Sequence, residues 1–214
     1  MTDKILKVLN AFYAAKRVNH YYHMHTNGDD HLNRRVSIEN IQKIISVLTG
    51  FSIEKCLVSQ SSEFHRAFVE RFDNGKRNII YVMEAESSSW RRFSAVKELC
   101  HLLVDASEDF QSDPCVTIDG MKSEHGYFDD HSAPESDSEH LAEIIAMELI
   151  YPLEHRREDR ERQAQGKTLE EIAADRDVPT KYVSHGVSDA YYESCINIWK
   201  SLKEVDPPNL DDAF

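Results

Sequence analysis

The sequence has few cysteines, and their spacing argues against structural cross-links. Four cysteines are spread over 214 residues, and no two of them form a Cys-x-x-Cys pair. The N-terminal segment MTDKILKVLN is amphipathic and does not resemble a secretory leader. Both observations predict reduced thiols in a cytoplasmic protein.

Long apolar runs are missing, and positive charge is scarce. No apolar segment approaches the roughly 18–20 residues that cross a bilayer, so we expect no membrane partner. Against 38 Asp and Glu there are 25 Lys and Arg, a formal net charge of -13. Most of such a surface repels nucleic-acid phosphates, so DNA is not an expected partner without a local basic patch. The length suffices for one domain with a sizeable core and a small helical appendage.

Hydrophobic periodicity predicts an α+β fold. Two strand-like runs, 64–72 and 78–84, flank an Asn74-Gly75 pair, which predicts a hairpin and a small antiparallel sheet. The polar run 154–167 predicts a solvated helix or linker, and 106–138 predicts a long loop. Helical patterns cover residues 3–25, 37–50, 90–105, 138–151 and 191–203, with two short helices between 168 and 190.

One helix carries part of a metal-binding pattern. In residues 91–103, Arg-Arg-Phe-Ser-Ala-Val-Lys-Glu-Leu-Cys-His-Leu-Leu, the positions of Lys97 and His101 lie four apart and share a helix face. Zinc peptidases use His-Glu-x-x-His at this spacing, with two imidazoles on the metal and the Glu holding the attacking water. Here Glu98 and His101 match that pattern, and Lys97 stands where the first histidine belongs.

A second block, residues 139–152, reads Glu-His-Leu-Ala-Glu-Ile-Ile-Ala-Met-Glu-Leu-Ile-Tyr-Pro. The first block resembles Arg-Phe-Thr-x-Ala-His-Glu-x-Gly-His-Leu-Leu of the ImmA/IrrE family of zinc metallopeptidases, and the second is similar to that family's Glu-x-x-Ala-Asn-x-Phe-Ala-x-x-Leu-Leu-x-Pro. The resemblance spans about residues 37–152. It departs from the family at Lys97, Cys100, Glu143 and Ile145.

The resemblance implies a zincin-like metallopeptidase domain over residues 1–153, of which 1–36 form a helical extension. It implies that His101 and Glu139 are zinc ligands and that Glu98 deprotonates the attacking water. Intact members cleave partner proteins, commonly transcriptional repressors. The resemblance therefore implies a cytoplasmic protein encoded by a bacterium, a phage or another mobile element. The strand before the metal helix would pair with substrate backbone.

Lys97 changes the expected chemistry, because an ammonium has no lone pair to give a metal. The zinc site is therefore impaired, with two of the three usual protein ligands remaining. We hypothesise that the ammonium takes the cation's place and neutralises Glu98 and Glu139, which would otherwise be costly partly buried carboxylates. The alternative is that Lys97 extends into solvent.

Another residue could replace the missing ligand. Asp105, one turn beyond His101, is the nearest candidate, although orienting His101 suits it better. Cys100 lies about 100° around the helix, where packing is its expected role. Three histidines in or beside the long loop could reach the site: His125, His131 and His140. A further cluster does not share one helix face and is expected to be at the surface: His20, His23 and His25.

Residues 154–214 are predicted to form a helical C-terminal module. Its segment 168–190 has a helix-turn-helix-like pattern, in which Thr168 and Glu171 form a capping box and Val178 fills the turn. The second helix offers few donors for bases or phosphates, which favours a packing or partner-docking role.

Three functions remain open at this point. The chain is a metallopeptidase-like protein that acts on or binds a protein partner, with zinc bound only if Lys97 does not replace it. The alternative is a non-catalytic pseudopeptidase that uses the substrate groove and edge strand of the peptidase fold to hold a repressor or toxin partner. A DNA-binding regulator has the least support.

Overall fold

A computed structural model describes residues 3–26, 36–59, 66–104 and 134–202, and within these ranges the protein is α+β, as predicted. No helix in those ranges is both long enough and apolar enough to span a membrane. The elements in chain order are α1 (Asp3–His25), α2 (Ile38–Thr49), β1 (Ser52–Val58), β2 (Ala67–Phe72), β3 (Arg77–Met83), α3 (Ser88–Val104), α4 (Pro134–Ile150), α5 (Leu153–Ala164), α6 (Leu169–Arg176), α7 (Thr180–Val187) and α8 (Asp189–Leu202).

The sheet is mixed, and the predicted all-antiparallel sheet is wrong. Its strand order is β1-β3-β2, in which β2 and β3 form the predicted antiparallel hairpin and β1 runs parallel to β3. The turn at residues 73–76 holds Asp73 and Asn74 at φ 53° and 55°, where Asp and Asn are tolerated, followed by Gly75 at 82°. Strand β1 was not predicted, because only Ile53 in it is buried and the strand therefore has no regular apolar alternation.

Local capping fixes the ends of α2, predicted over residues 37–50, and the start of α6, where the sequence predicted a capping box. The Ser37 hydroxyl accepts a hydrogen bond from the Asn40 amide, and Gly50 ends α2 in the left-handed region at φ 70°. At the start of α6, the Thr168 hydroxyl accepts from the Glu171 amide while the Glu171 carboxylate accepts from the Thr168 amide. This capping box satisfies amides that the helix itself leaves unpaired.

One continuous cluster of buried apolar side chains runs from α1 to α8. On the sheet face turned towards the helices, Ile80 and Val82 of β3 are buried, as are Phe93 and Val96 of α3. The same cluster extends to Val183 in α7. The C-terminal helices therefore share a core with the helices that carry the metal-site motif.

Helix α5 is not solvated all round, which corrects the expectation for residues 154–167. His155, Arg156 and Asp159 are buried. The Arg156 guanidinium pairs with Glu148 of α4 in full burial and donates from Nε to the Tyr151 carbonyl over 2.7 Å. Because the buried face of α5 is charged, no apolar stripe marked it in the sequence.

Helix α7 is docked tightly against α3 and the turn after α4. The Tyr182 ring stacks on Phe93, with centroids 3.7 Å apart. A Cβ at Gly186 would lie 2.9 Å from Tyr151 Cε1, so only glycine permits this approach without a shift. The two short helices predicted between 168 and 190 are present, and the second has a buried face formed by Tyr182, Val183, Gly186 and Val187.

The Arg156–Glu148 pair gives a stability prediction. Replacing Arg156→Met leaves Glu148 buried and uncompensated, which should lower the free energy of unfolding by about 3–5 kcal/mol in urea denaturation. The double variant Arg156→Met/Glu148→Gln should recover much of this loss, because Gln is neutral and still accepts the Trp199 indole hydrogen bond. Arg157→Met, at the exposed neighbouring position, is the matched control. Equal losses at positions 156 and 157 would contradict the assignment.

Candidate functional site

Helices α3 and α4 bring the predicted site residues together. Helix α3 is buried along most of its length, including Leu99 and Cys100, so its rotation about its axis is fixed by the core. That rotation turns Lys97 and His101, four residues apart, towards the first turns of α4. Glu139 of α4 meets both of them there.

The Lys97 ammonium lies between two carboxylates. Its Nζ is 2.6 Å from Glu139 Oε2 and 3.4 Å from Glu98 Oε1. The Lys97 side chain is 20% exposed, while Glu139 is 29% exposed and Glu98 only 7%. The side chain is therefore directed inward to the acidic pair and does not extend into solvent.

His101 contacts the other oxygen of the same carboxylate. Its Nε2 lies 3.0 Å from Glu139 Oε1, and its Nδ1 lies 3.0 Å from the Ser138 hydroxyl. The imidazole is thus positioned on both nitrogens by two consecutive residues of α4. Glu139 connects Lys97 and His101 in one ionic cluster.

Charge and burial act in opposite directions on these groups. Burial would lower the pKa of Lys97, but Glu98 and Glu139 outweigh it and raise that pKa above its usual value. Burial alone would raise the pKa of Glu139, but Lys97 and His101 hold it well below its usual range. At Glu98 burial prevails, and the pKa is raised even though Lys97 opposes the shift. The Lys97–Glu139 pair is therefore ionised at neutral pH.

The residues of this cluster do not fit a three-ligand zinc site. His101 and Glu139 supply two donors, and the first-histidine position supplies an ammonium with no lone pair. In the part of the chain that the structure describes, no group of three or more His, Cys, Asp or Glu side chains is arranged to hold a metal.

Of the ligand candidates Asp105, His125, His131 and His140, the structure describes only His140. Asp105, His125 and His131 fall outside the described residues. Residues 106–133 of the predicted loop also fall outside them, and residues 134–138, predicted as loop, form the start of α4. His140 lines a cavity on α4 beside Glu143.

The remaining candidates have the expected exposure. His20 and His25 are exposed and His23 is partly exposed, as predicted. Cys100 is fully buried, and burial raises the pKa of its thiol, consistent with the packing role predicted for it.

Two residues near the site were not singled out from the sequence. Ser138 contacts His101, and its only sequence signal is that it directly precedes Glu139. Glu143 lies one turn after Glu139 on the same face of α4 and raises the pKa of Lys97 further. Its signal was the departure from the family pattern, where asparagine is expected at that position.

Comparison with known proteins yields no relative for this chain. No protein-family model matches it. No curated protein matches it at a significant level either.

The ionic cluster predicts pH-dependent stability. The low pKa of Glu139 contributes stability that is present above its ordinary value of 4.5 and is lost as pH falls through the lowered value. Replacing Lys97→Met removes that contribution and leaves two partly buried carboxylates. We expect the free energy of unfolding to fall by about 1–3 kcal/mol at neutral pH. This is less than the loss expected for the fully buried Arg156–Glu148 pair, because Lys97 and Glu139 are partly exposed.

The Lys97→Met deficit should shrink as pH falls, beginning above 4.5, because burial raises the pKa of carboxylates that have lost their cation and protonation then neutralises them. Urea unfolding of both proteins between neutral pH and the acid range measures this. Lys43→Met, at an exposed position on α2, is the matched control and should show no such trend. A deficit that stays constant with pH would show that lost packing, and not lost charge, is its cause.

Proposed function

We propose that this protein is a metal-free pseudopeptidase: a cytoplasmic binding protein on an ImmA/IrrE-like scaffold in which the Lys97 ammonium takes the place of zinc. The observation that carries the proposal is the position of Lys97 Nζ, 2.6 Å from Glu139 and 3.4 Å from Glu98. By the family resemblance, Glu139 corresponds to a zinc ligand and Glu98 to the catalytic base. A single cation contacts both.

Electrostatics support exclusion of a metal while Lys97 remains charged. Charges of +1 and +2 about 4 Å apart repel by about 8 kcal/mol at an effective dielectric of 20. Structural zinc sites bind with about 10–16 kcal/mol, and this cluster has fewer donors than such sites. Since the pKa of Lys97 is raised, deprotonation at neutral pH does not relieve the repulsion.

Peptide hydrolysis is not expected from such a cluster. In zinc peptidases the metal lowers the pKa of a bound water so that the glutamate can deprotonate it near neutrality. Glu98 alone faces an ammonium, and an ammonium has no coordination position that could bind and activate a water. The ionic cluster joins α3 to α4 without a metal.

In this proposal the outer edge of strand β2 supplies the binding surface. Strand β2 pairs with β3 on one side, and in the described residues no strand pairs with its other side. A free edge can add an extended partner segment through backbone hydrogen bonds. Phe68 on β2 is 39% exposed and stacks on Tyr81, which gives that edge an apolar contact. A protein partner such as a transcriptional repressor is the occupant that the family resemblance favours.

The docking of α7 supports a packing role for the C-terminal helices over a DNA-binding one. A recognition helix must present one face to the major groove. In α7 the buried face lies on Phe93 and Tyr151, and Lys181 and His185 line a cavity shared with α4. The net charge of -13 adds a general repulsion of phosphates.

Metal content tests the proposal directly. We expect the purified protein to contain far less than one zinc per chain by elemental analysis, even after incubation with excess zinc and desalting. Lys97→His restores a third donor and removes the repelling charge, so this variant should retain about one zinc per chain. The double variant Lys97→His/His101→Ala should lose it.

Stoichiometric zinc in the unmodified protein, lost in His101→Ala, would overturn the proposal. Lys97→Arg is a further control, because it keeps the positive charge and should also exclude zinc. If Lys97→His folds normally and still binds no metal, the cluster does not have the geometry of a zinc site, and the family-derived part of the proposal fails.

A further inference from the structure

A cavity of about 300 Å³ lies between α4, α7 and the start of α8. Glu143 in its lining adds to the negative field at Lys97, but the residues that contact Lys97 and His101 do not line the cavity. The metal-free state proposed above does not depend on a ligand in this cavity. Its volume is at the lower end of the range for small-molecule sites, about 300–1,000 Å³, so its ligand must be small.

Two opposite charges stand at the cavity. Glu143 Oε1 and Lys181 Nζ are 3.6 Å apart, and their side chains are 28% and 59% exposed. This separation is longer than the roughly 2.7–2.9 Å of a well-formed charged hydrogen bond. Exposed ion pairs of this kind contribute about 0–1 kcal/mol, so a ligand can replace each partner at little cost.

Glu143 is held in place from inside the protein. The hydroxyl of the buried Tyr182 donates a hydrogen bond to the Glu143 carboxylate. Burial is the main cause of the raised pKa of Tyr182, and the negative charge of Glu143 and this hydrogen bond raise it further. The carboxylate therefore has a fixed anchor even when Lys181 turns to another partner.

The remaining walls combine apolar and uncharged surfaces. Ile144 and Met147 are buried, at 7% and 1% exposure, and line the cavity from α4. His185 packs against the Tyr191 ring, with centroids 4.1 Å apart. Burial lowers the pKa of His185, so its imidazole is neutral at pH 7. Ser184 and Ser188 complete the lining, and the Ser188 hydroxyl donates to the His185 carbonyl over 2.7 Å.

We propose that this cavity binds a free α-amino acid with an apolar or aromatic side chain. The α-ammonium replaces Lys181 as the partner of Glu143, and the α-carboxylate pairs with Lys181. The side chain lies on Ile144 and Met147 beside the His185–Tyr191 wall. A zwitterion matches the two charges at their short separation, which neither a simple anion nor a simple cation does.

Isothermal titration calorimetry on the full chain tests this inference. Leucine, phenylalanine and the other common amino acids are titrated at up to millimolar concentration, and we expect saturable one-to-one binding of one or more apolar members. N-acetylated and amidated forms of the best ligand each lose one charge and should bind about tenfold more weakly or worse. A dipeptide separates its terminal charges and should bind as poorly.

Variants then place the ligand in the cavity. Lys181→Gln and Glu143→Gln should each weaken binding about tenfold or more, and Gln at 143 keeps an acceptor for Tyr182. Lys200→Gln and Glu193→Gln, at exposed positions on α8, are the matched controls and should bind normally. Ser184→Trp, at an exposed cavity-lining position, should fill the space and abolish binding, with thermal melting as the check on folding.

Three results would overturn the inference. The first is no binding of any amino acid to the folded protein. The second is binding that survives Lys181→Gln, Glu143→Gln and Ser184→Trp, which would place the ligand elsewhere. The third is equal binding of the dipeptide or of the blocked forms, which would exclude recognition of a free zwitterion. None of these results bears on the zinc measurements, so the two proposals fail independently.

Discussion

Three of the carboxylates on helix α4 each meet a cation from a different helix. Glu139 and Glu143 share one face of the helix, while the spacing of nine residues puts Glu148 about half a turn away from Glu139. These contacts connect the motif helix and the C-terminal helices to one central element, within the apolar core that they share. The pairs are Glu139 with Lys97 of α3, Glu143 with Lys181 of α7, and Glu148 with Arg156 of α5.

The three pairs differ in burial, and their physical consequences differ accordingly. Arg156 and Glu148 are fully buried, so breaking that pair is costly and its effect is on folding. Lys97 and Glu139 are partly exposed, and their cluster replaces a divalent cation by a single ammonium in our proposal. Lys181 is the most exposed of the three cations, so its pair with Glu143 is the easiest for a ligand to exchange. The less buried an ion pair of α4 is, the less the fold depends on it and the more easily a ligand can replace one of its partners.

Much of the helical framework could be predicted from the sequence. The caps at Ser37 and Thr168 and the turn at Asn74-Gly75 have local causes, and the structure has all three. Strand β1 and the buried face of α5 were missed, since neither has the apolar period on which such predictions depend. The position of Lys97 remained open between two alternatives, because a lysine stem reaches either water or a nearby carboxylate and only the neighbouring helix decides which.

The sequence by itself determined which residues of α3 share a face and which are able to hold a metal, since helical spacing and the lone pairs of side chains are local properties. It therefore identified Lys97, Glu98 and His101 together, whereas Glu139 was added only by the resemblance of residues 139–152 to a family pattern. Tertiary structure alone decided that Lys97 lies against Glu139, that Ser138 contacts His101, and that α7 closes a cavity over Glu143. These contacts join residues far apart in the chain, and their geometry depends on how the buried faces of α3, α4 and α7 pack in one core.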